Sequence, residues 1–176
     1  MKKIFFLMVL FFLVNNSQRL FGSEINTLIK QLKSDDNKGR AVAIKNLEKK
    51  GAEVIPDLIK ALETATTRLK KLQTVVTSTE LQKEYRYRGD IIIVLSRTKD
   101  ERGIEPIGNI LLKSMDKEER LTAAIGLGIV ENKKAIPILK QALQDEDTKV
   151  GLRAAYSLGR LGDDSGYTLA TKKNKR

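Results

Sequence analysis

The chain reads as an all-α protein, a short right-handed α-solenoid of stacked helical hairpins, on three observations. Ile25-Asn-Thr-Leu-Ile-Lys-Gln-Leu32, Ile55-Pro-Asp-Leu-Ile-Lys-Ala-Leu62 and Ala135-Ile-Pro-Ile-Leu-Lys-Gln-Ala-Leu143 are variants of one phrase. Leu47, Leu95, Leu127 and Leu158 each close an apolar helical stretch, the last two intervals being 32 and 31 residues. All three prolines, Pro56, Pro106 and Pro137, fall near the starts of equivalent helices. Repetition at a fixed period marks a solenoid, because one unit cannot bury its apolar face without a neighbour.

Ahead of the repeats, Met1-Lys-Lys precedes the apolar run Ile4 to Val14, which gives way to Asn15-Asn-Ser-Gln18. A basic start, eleven apolar residues and the small Gly22 and Ser23 fit a cleaved signal peptide over residues 1–23. At about 1.5 Å per residue such a run falls well short of the ~30 Å hydrocarbon core, so an uncleaved anchor or a buried first helix is the lesser reading. Export to a periplasmic or secreted location is expected, with the cut after Gly22 or Ser23.

The repeat domain spans residues 24–171 and opens on Ile25 to Leu32, a second helix lacking its first. The first-helix cores are Ala41/Ala43/Ile44/Leu47, Ile91/Ile92/Leu95, Ala123/Ala124/Leu127 and Ala154/Ala155/Leu158. Spacing of i, i+3, i+4 keeps them on one face, and their small residues permit close helix approach. Eleven residues before each leucine stand Asp36, Glu84, Asp116 and Asp147. An acid at a helix start accepts bonds from unpaired backbone N–H groups and opposes the positive end of the macrodipole. Seven before come Arg40, Arg88 and Arg120, with Gly151 breaking the series and Arg153 nearby. Gly51 and Gly162 follow first helices, where a left-handed residue is favoured, and Lys49, Lys50 and Arg160 precede them. The second helices carry the stripes Ile55/Leu58/Ile59/Leu62, Ile104/Ile107/Ile110/Leu111 and Ile136/Leu139/Ala142/Leu143, with proline in the first turn where its missing N–H is harmless.

One unit departs from the period. Ile55 to Ile104 spans 49 residues against 32 for Ile104 to Ile136, an insertion of about 17 residues near 63–83. Residues 57–88 hold neither Gly nor Pro, and Leu58, Leu62, Ala65, Leu69, Leu72 and Val76 continue at helical spacing. Thr77-Ser-Thr-Glu80 fits a capping box for a further helix. The economical reading is a lengthened helical pair projecting beyond the stack, with Glu84 inside a helix. A break at Gly89-Asp90, with Asp90 capping a shorter helix, is the alternative. At the far end, Tyr167-Thr-Leu-Ala170 begins a second helix that runs into a basic disordered tail, 172–176. An end without its partner helix is expected to expose apolar surface near Ala155 and Leu158.

The chain holds no cysteine and no histidine, which removes disulfides, thiol nucleophiles, Ser-His triads, imidazole acid–base work and HExxH zinc sites. No cofactor or metal is expected. There are 33 cations against 22 acids, net +11, and loss of Lys2, Lys3 and Arg19 with the leader leaves +8. Six cations against two acids lie between Arg68 and Arg88. Such an excess draws anionic partners, or serves solubility alone.

Arg153-Ala-Ala-Tyr-Ser-Leu-Gly-Arg-Leu-Gly-Asp163 and Ala135 to Leu143 resemble the short HEAT-like repeats named after phycobilisome lyases, and the resemblance covers about residues 24–171. It implies interhelical ladders for Asp36, Asp116, Asp147, Arg40 and Arg120. It also implies an interaction scaffold more readily than one of the few members that handle bilins or DNA.

The leading expectation is a non-catalytic exported scaffold that binds another protein through its second helices or the projecting hairpin. Lys30, Lys60, Asn109 and Gln141 each lie five residues after a second helix's first isoleucine and form a polar row, a pattern that an ordinary solvated face also gives. The hairpin carries Arg68, Lys70 and Lys71 outward and Lys83, Tyr85, Arg86 and Tyr87 on its return, able to clamp an anionic ligand or merely to be solvated. The alternative is binding of anionic polymers or nucleic acid, with an affinity that falls steeply with salt. A leader argues against cytoplasmic DNA, so a protein partner is expected, nucleic acid is not, and peripheral contact with an anionic envelope surface stays open. A bilin-lyase-like enzyme ranks last.

Overall fold

A computed structural model describes residues 24–72 and 78–166. The leader and its cut, Val76, Thr77, Tyr167 to Ala170 and the basic tail lie outside the described residues. The described elements are helical: α1 (24–31), α2 (Asn37–Lys49), α3 (Ile55–Leu72), α4 (Ser78–Arg97), α5 (Ile104–Lys113), α6 (Lys117–Ile129), α7 (Ile136–Ala142) and α8 (Thr148–Arg160). Short 3-10 turns at Gly51–Val54, Glu101–Gly103 and Lys133–Ala135 lead into α3, α5 and α7.

The helices pack in two layers. The first helices α2, α4, α6 and α8 lie side by side, and each second helix leans on the first helix that follows it, α3 on α4, α5 on α6 and α7 on α8. This is the all-α, solenoid-like stack that the repeated phrases predict. Leu47, Leu95, Leu127 and Leu158 are fully buried in one continuous core, which also takes Ile25, Leu28, Ile29 and Leu32 around α1. Burial of a leucine contributes roughly 1.5–3 kcal/mol, so the column of four is a main source of cohesion between units.

Helix starts behave as the acidic column predicts, with one exception. Asp36 accepts from the amides of Lys38 and Gly39 at 3.0 and 2.9 Å, Asp116 from Glu119 at 2.8 Å, and Asp147 from Lys149 at 2.8 Å. Glu84 is buried inside α4, which runs through Gly89 and Asp90 unbroken. The alternative of a short helix capped by Asp90 is therefore set aside. That carboxylate instead receives Arg40 Nε at 3.1 Å.

The corners repeat as closely as the helices. Gly51 and Gly162 adopt φ of +59° and +77°, and Lys99 and Glu131 hold the same left-handed conformation at φ 54° and 56°. The next residue in three corners caps the following turn, Asp100 for the Arg102 amide, Asn132 for that of Lys134 and Asp163 for that of Ser165. Lys99 Nζ meets Glu131 Oε2 at 2.6 Å, which joins two of these corners.

Helix α6 sits between two neighbours at close range. A Cβ at Gly128 would lie 2.6 Å from Ser157 Oγ of α8, and one at Gly126 would overlap Ser96 Oγ of α4. Ser157 Oγ donates to the Ala124 carbonyl at 2.8 Å and thereby binds α8 to α6.

The helical pair α3–α4 is lengthened, at 18 and 20 residues against 10 for α5 and 13 for α6. Its returning arm is tied down. Lys83 Nζ and Arg86 Nη2 meet Asp35 at 2.7 and 2.9 Å, and Lys33 Nζ lies 4.5 Å from the centre of the buried Tyr87 ring. Burial, with Glu84 adding to it, pushes the Tyr87 hydroxyl up to about 12.

The far end corrects another expectation. Ala155 and Leu158 are buried, because the turn Asp164–Gly166 folds back so closely that a Cβ at Gly166 would sit 2.6 Å from Ala155 Cα. The apolar groups that α8 does expose are Leu152 and Tyr156. Among the described residues no helix is long and apolar enough to cross a membrane.

Candidate functional site

Extension of α3 past Leu62 carries its apolar stripe beyond the length of α5, and an open cleft of about 790 Å³ lies between the two helices. Ile59, Leu62, Thr66 and Leu69 of α3 form one wall, and Pro106, Asn109, Ile110 and Lys113 of α5 form the other. Met115, 81% exposed, stands at its mouth, and Leu112 beside it is also exposed. Helix α4 contributes Arg88 to the lining.

Each predicted position can now be placed. Lys30, Lys60, Asn109 and Gln141 are exposed on α1, α3, α5 and α7 in turn, and of the four only Asn109 lines the cleft, where its Oδ1 accepts from Lys113 at 2.9 Å. Lys70 also lines it. Arg68 Nε lies 3.7 Å from the Glu84 carboxylate, Lys71 is exposed near the end of α3, and Arg86 is held by Asp35 and the Ser34 carbonyl. The tyrosine and arginine of the returning arm therefore bind the chain to itself. Tyr87 is a core residue, and Arg86 is a tie to the corner before α2.

The arginine column forms a ladder, but its partners differ from those the resemblance implied. Asp36, Asp116 and Asp147 cap their own helices, and each arginine reaches an acid of the next unit. Arg40 takes Asp90, and Arg120 takes Asp145 through Nε at 2.9 Å and Nη2 at 3.0 Å, with Glu146 at 2.9 Å. Hydrogen bonds to Asp145 raise the Arg120 pKa above the usual guanidinium value. Arg88 takes Glu119, at 3.2 Å, in a pair whose side chains are 3% and 2% exposed. Desolvation drives the two in opposite senses, Arg88 down and Glu119 up, each opposed by the other's charge. Glu119 Oε2 also accepts from Ser114 Oγ at 2.5 Å.

The signal that singles out Arg88 was present in the register. Six residues before Arg40 and Arg120 lie Ser34 and Ser114, whose loop carbonyls accept from those guanidinium groups at 3.0 and 2.9 Å. Six before Arg88 lies Gln82, inside α4. A carbonyl there belongs to the helix's own ladder. Arg88 Nε is the atom that faces Glu119 Oε1 at 3.2 Å, an ion pair outside hydrogen-bond geometry.

The arrangement can hold a ligand by charge and apolar contact. Lining cations are Lys70, Arg88, Arg102 and Lys113, against Glu63 and Glu105. Among the described residues no cluster of three or more acids is placed to hold a metal ion.

No curated protein matches the chain. Residues 104–171, which take in α5 to α8, match the family of HEAT repeats. The same two-layer stacking of helical pairs continues through α2 to α4, and HEAT repeats, which the matched residues resemble, commonly serve as scaffolds for protein contacts.

Proposed function

We propose that this chain is an exported, non-catalytic scaffold of the short phycobilisome-lyase type of HEAT repeat, which holds another protein on its second-helix layer. The observation that carries the reading is the cleft between α3 and α5, the place where the stack departs from its period and leaves Ile59, Leu62 and Ile110 facing a shared opening. A solenoid offers an extended surface in preference to an enclosed pocket, and an apolar cleft with a polar rim suits a protein segment. The reading of the basic arm as a polyanion clamp is weaker, since Lys83 and Arg86 are engaged by Asp35.

A photo-crosslinking residue placed at Lys60 or Asn109 in the full chain, in its own cells, is expected to yield a discrete protein adduct. The same residue at Val42, exposed on α2, is expected to yield none. Equal adducts at all three positions, or none at any, would sink the scaffold reading. Export is tested separately by fractionation and by N-terminal sequencing. A mature start at Ser23 or Glu24 outside the cytoplasm is expected, and an intact Met1 in the cytoplasmic fraction would exclude it.

A further inference from the structure

We propose that the outer face of α8, with the basic segment that follows it, docks on an anionic lipid surface. Leu152 and Tyr156 enter the headgroup boundary, and Lys149, Arg153 and Arg160 meet the lipid phosphates. No residue of α8 lines the α3–α5 cleft, and the inference goes beyond the scaffold reading without resting on it.

The repeat itself shows what sets α8 apart. With the offset of 31 that relates Leu127 to Leu158, Leu121, Ile125 and Gly128 of α6 correspond to Leu152, Tyr156 and Gly159. In α6 that flank is covered, Leu121 and Ile125 half-buried and Gly128 pressed against Ser157 of α8. In α8 it is open, with Leu152 39% and Tyr156 62% exposed and nothing within 4 Å of a Cβ at Gly159. A solenoid ordinarily ends on a polar face. Here the leucine is kept, and the isoleucine becomes an exposed tyrosine. Around them the same register turns basic, from Glu118 to Lys149, from Thr122 to Arg153 and from Ile129 to Arg160. Intervals of three and four residues from Lys149 through Arg153 and Tyr156 to Arg160 keep the set on one stripe, and the Arg153 guanidinium stands 5.7 Å from the centre of the Tyr156 ring.

The positive charge remains once partners are counted. Thr148 to Arg176 hold seven cations and two acids, Asp163 and Asp164. Lys140 takes Asp163 at 2.9 Å, and Arg160 lies 3.5 Å from Glu131. With both pairs set aside, Lys149, Arg153, Lys172, Lys173, Lys175 and Arg176 stand against Asp164. Asp147, at the head of the helix, already accepts from the Lys149 amide and lies 3.9 Å from Lys117. The described chain leaves the stack at Gly166, folded against Ala155, so the last four cations follow from this same end. Such an excess opposes a second copy as the occupant. Two α8 faces would bring like charges together, and α2 at the other end of the stack exposes Lys38, Lys45 and Lys49. A nucleic acid answers the charge and can stack on Tyr156, but it leaves Leu152 without an apolar partner. A plane of anionic headgroups matches all three features. It attracts each nearby Lys or Arg, favours aromatic rings at its boundary and takes apolar side chains from one face of a basic helix. Among the described residues no helix can cross a membrane, so the contact is peripheral.

The chain has no tryptophan, so Y156W supplies a single fluorescent reporter in the middle of the stripe. Protein purified from its own cells is mixed with vesicles of equal parts phosphatidylglycerol and phosphatidylcholine. The emission of Y156W is expected to move to shorter wavelength and to be quenched by brominated acyl chains, and vesicles of phosphatidylcholine alone are expected to do neither. V42W, exposed on α2 at the other end, should stay unchanged. Adding K149Q/R153Q to Y156W should weaken binding about thirtyfold, as expected for two cations lost from an anionic surface. Both side chains are exposed, so the circular dichroism spectrum should not change. Rising salt should weaken binding of the parent as well. An unmoved Y156W spectrum, an equal response to phosphatidylcholine alone, an equal response of V42W, or K149Q/R153Q bound within about twofold of the parent would overturn the proposal. So would a shift with a DNA or RNA duplex and none with vesicles, which would assign the face to nucleic acid. Crosslinking at Lys60 and Asn109 reads the second-helix layer and decides the scaffold reading independently.

Discussion

The regular units α5 to α8 and the lengthened pair α3–α4 use the same column of arginines to opposite effect. In the regular part, Arg120 reaches acids at the foot of the next unit and is fully bonded, 7% of its side chain exposed. In the lengthened part, Arg88 is sealed in with Glu119 and less completely bonded. One helix extension made the difference, because it turned the loop carbonyl that serves the other arginines into part of a helix. A repeat fold thus acquires a sealed ion pair through a change in length, with no change in the repeated residue itself.

The largest expected effect breaks the buried pair. Replacing Arg88 by Met leaves Glu119 buried without its cation, and urea unfolding should show a loss of about 3–5 kcal/mol, the usual cost of stranding one member of a buried ion pair. Burial already raises the Glu119 pKa, and without Arg88 it would rise further. A raised folded-state pKa contributes stability that is present at low pH and lost as pH climbs through it. The deficit of R88M should therefore narrow on acidification. The double variant R88M/E119Q should recover most of the loss, and a double variant as unstable as the single would show that packing, not charge, sets the cost.

Close approach distinguishes the two regions next. At Gly128, on the crowded face between α6 and α8, Ala would press on Ser157 Oγ and also on its Cβ at 2.9 Å and Cα at 3.2 Å. A loss of about 1–3 kcal/mol is expected from such overpacking, despite the better helix propensity of Ala. Adding Ser157→Ala should restore only part, because the Cβ contact stays. At Gly89, in the lengthened α4, a Cβ meets nothing within 4 Å. There the same substitution should stabilise by about 0.5–1 kcal/mol through the backbone alone. Thermal melts of the two single variants should move in opposite directions, and a loss at Gly89 would show that backbone freedom does not decide stability there.

What could be read from the sequence was local. Asp36, Asp116 and Asp147 cap residues two or three positions on, and Gly51 and Gly162 take a conformation that glycine enters freely, so neighbours in sequence were enough. Lys99 and Glu131 escaped notice because they occupy the same left-handed corner without being glycine, a conformation that costs a residue with a side chain roughly 1–2 kcal/mol. The Asp100, Asn132 and Asp163 column could have been found, since it keeps the 32 and 31 spacing of the leucines. The arginine partners could not, because they belong to the next unit and depend on how far one helix is displaced from another. The cleft was hidden for the same reason. Leu62, Ala65 and Leu69 continue a helical stripe that periodicity reads as core, and only the separation of α3 from α5 leaves part of that wall open. Ala155 and Leu158 were expected in the open because the covering turn at Asp164–Gly166 has no helical period to reveal it.

The smallest expected effect belongs to the regular end. Asp147 caps α8, and the hydrogen bond from the Lys149 amide, with that from Val150 and the charges of Lys117 and Lys149, holds its carboxyl below the usual aspartate value. A depressed folded-state pKa gives stability that is present above the unfolded value of 3.8 and lost as pH falls through the lower folded one. Asparagine at this position still accepts at an N-cap but does not titrate. The melting temperature of wild type should therefore exceed that of D147N near neutral pH, and the gap should close in strong acid, below pH 3.8. In the lengthened region the gap to R88M also narrows in acid, but from the other side: wild type loses the Asp147 contribution, whereas R88M gains stability as protonation of Glu119 relieves a buried charge. An R88M variant that gained nothing on acidification would show that Glu119 is not a stranded buried charge, and the contrast between Arg120 and Arg88 would fail with it.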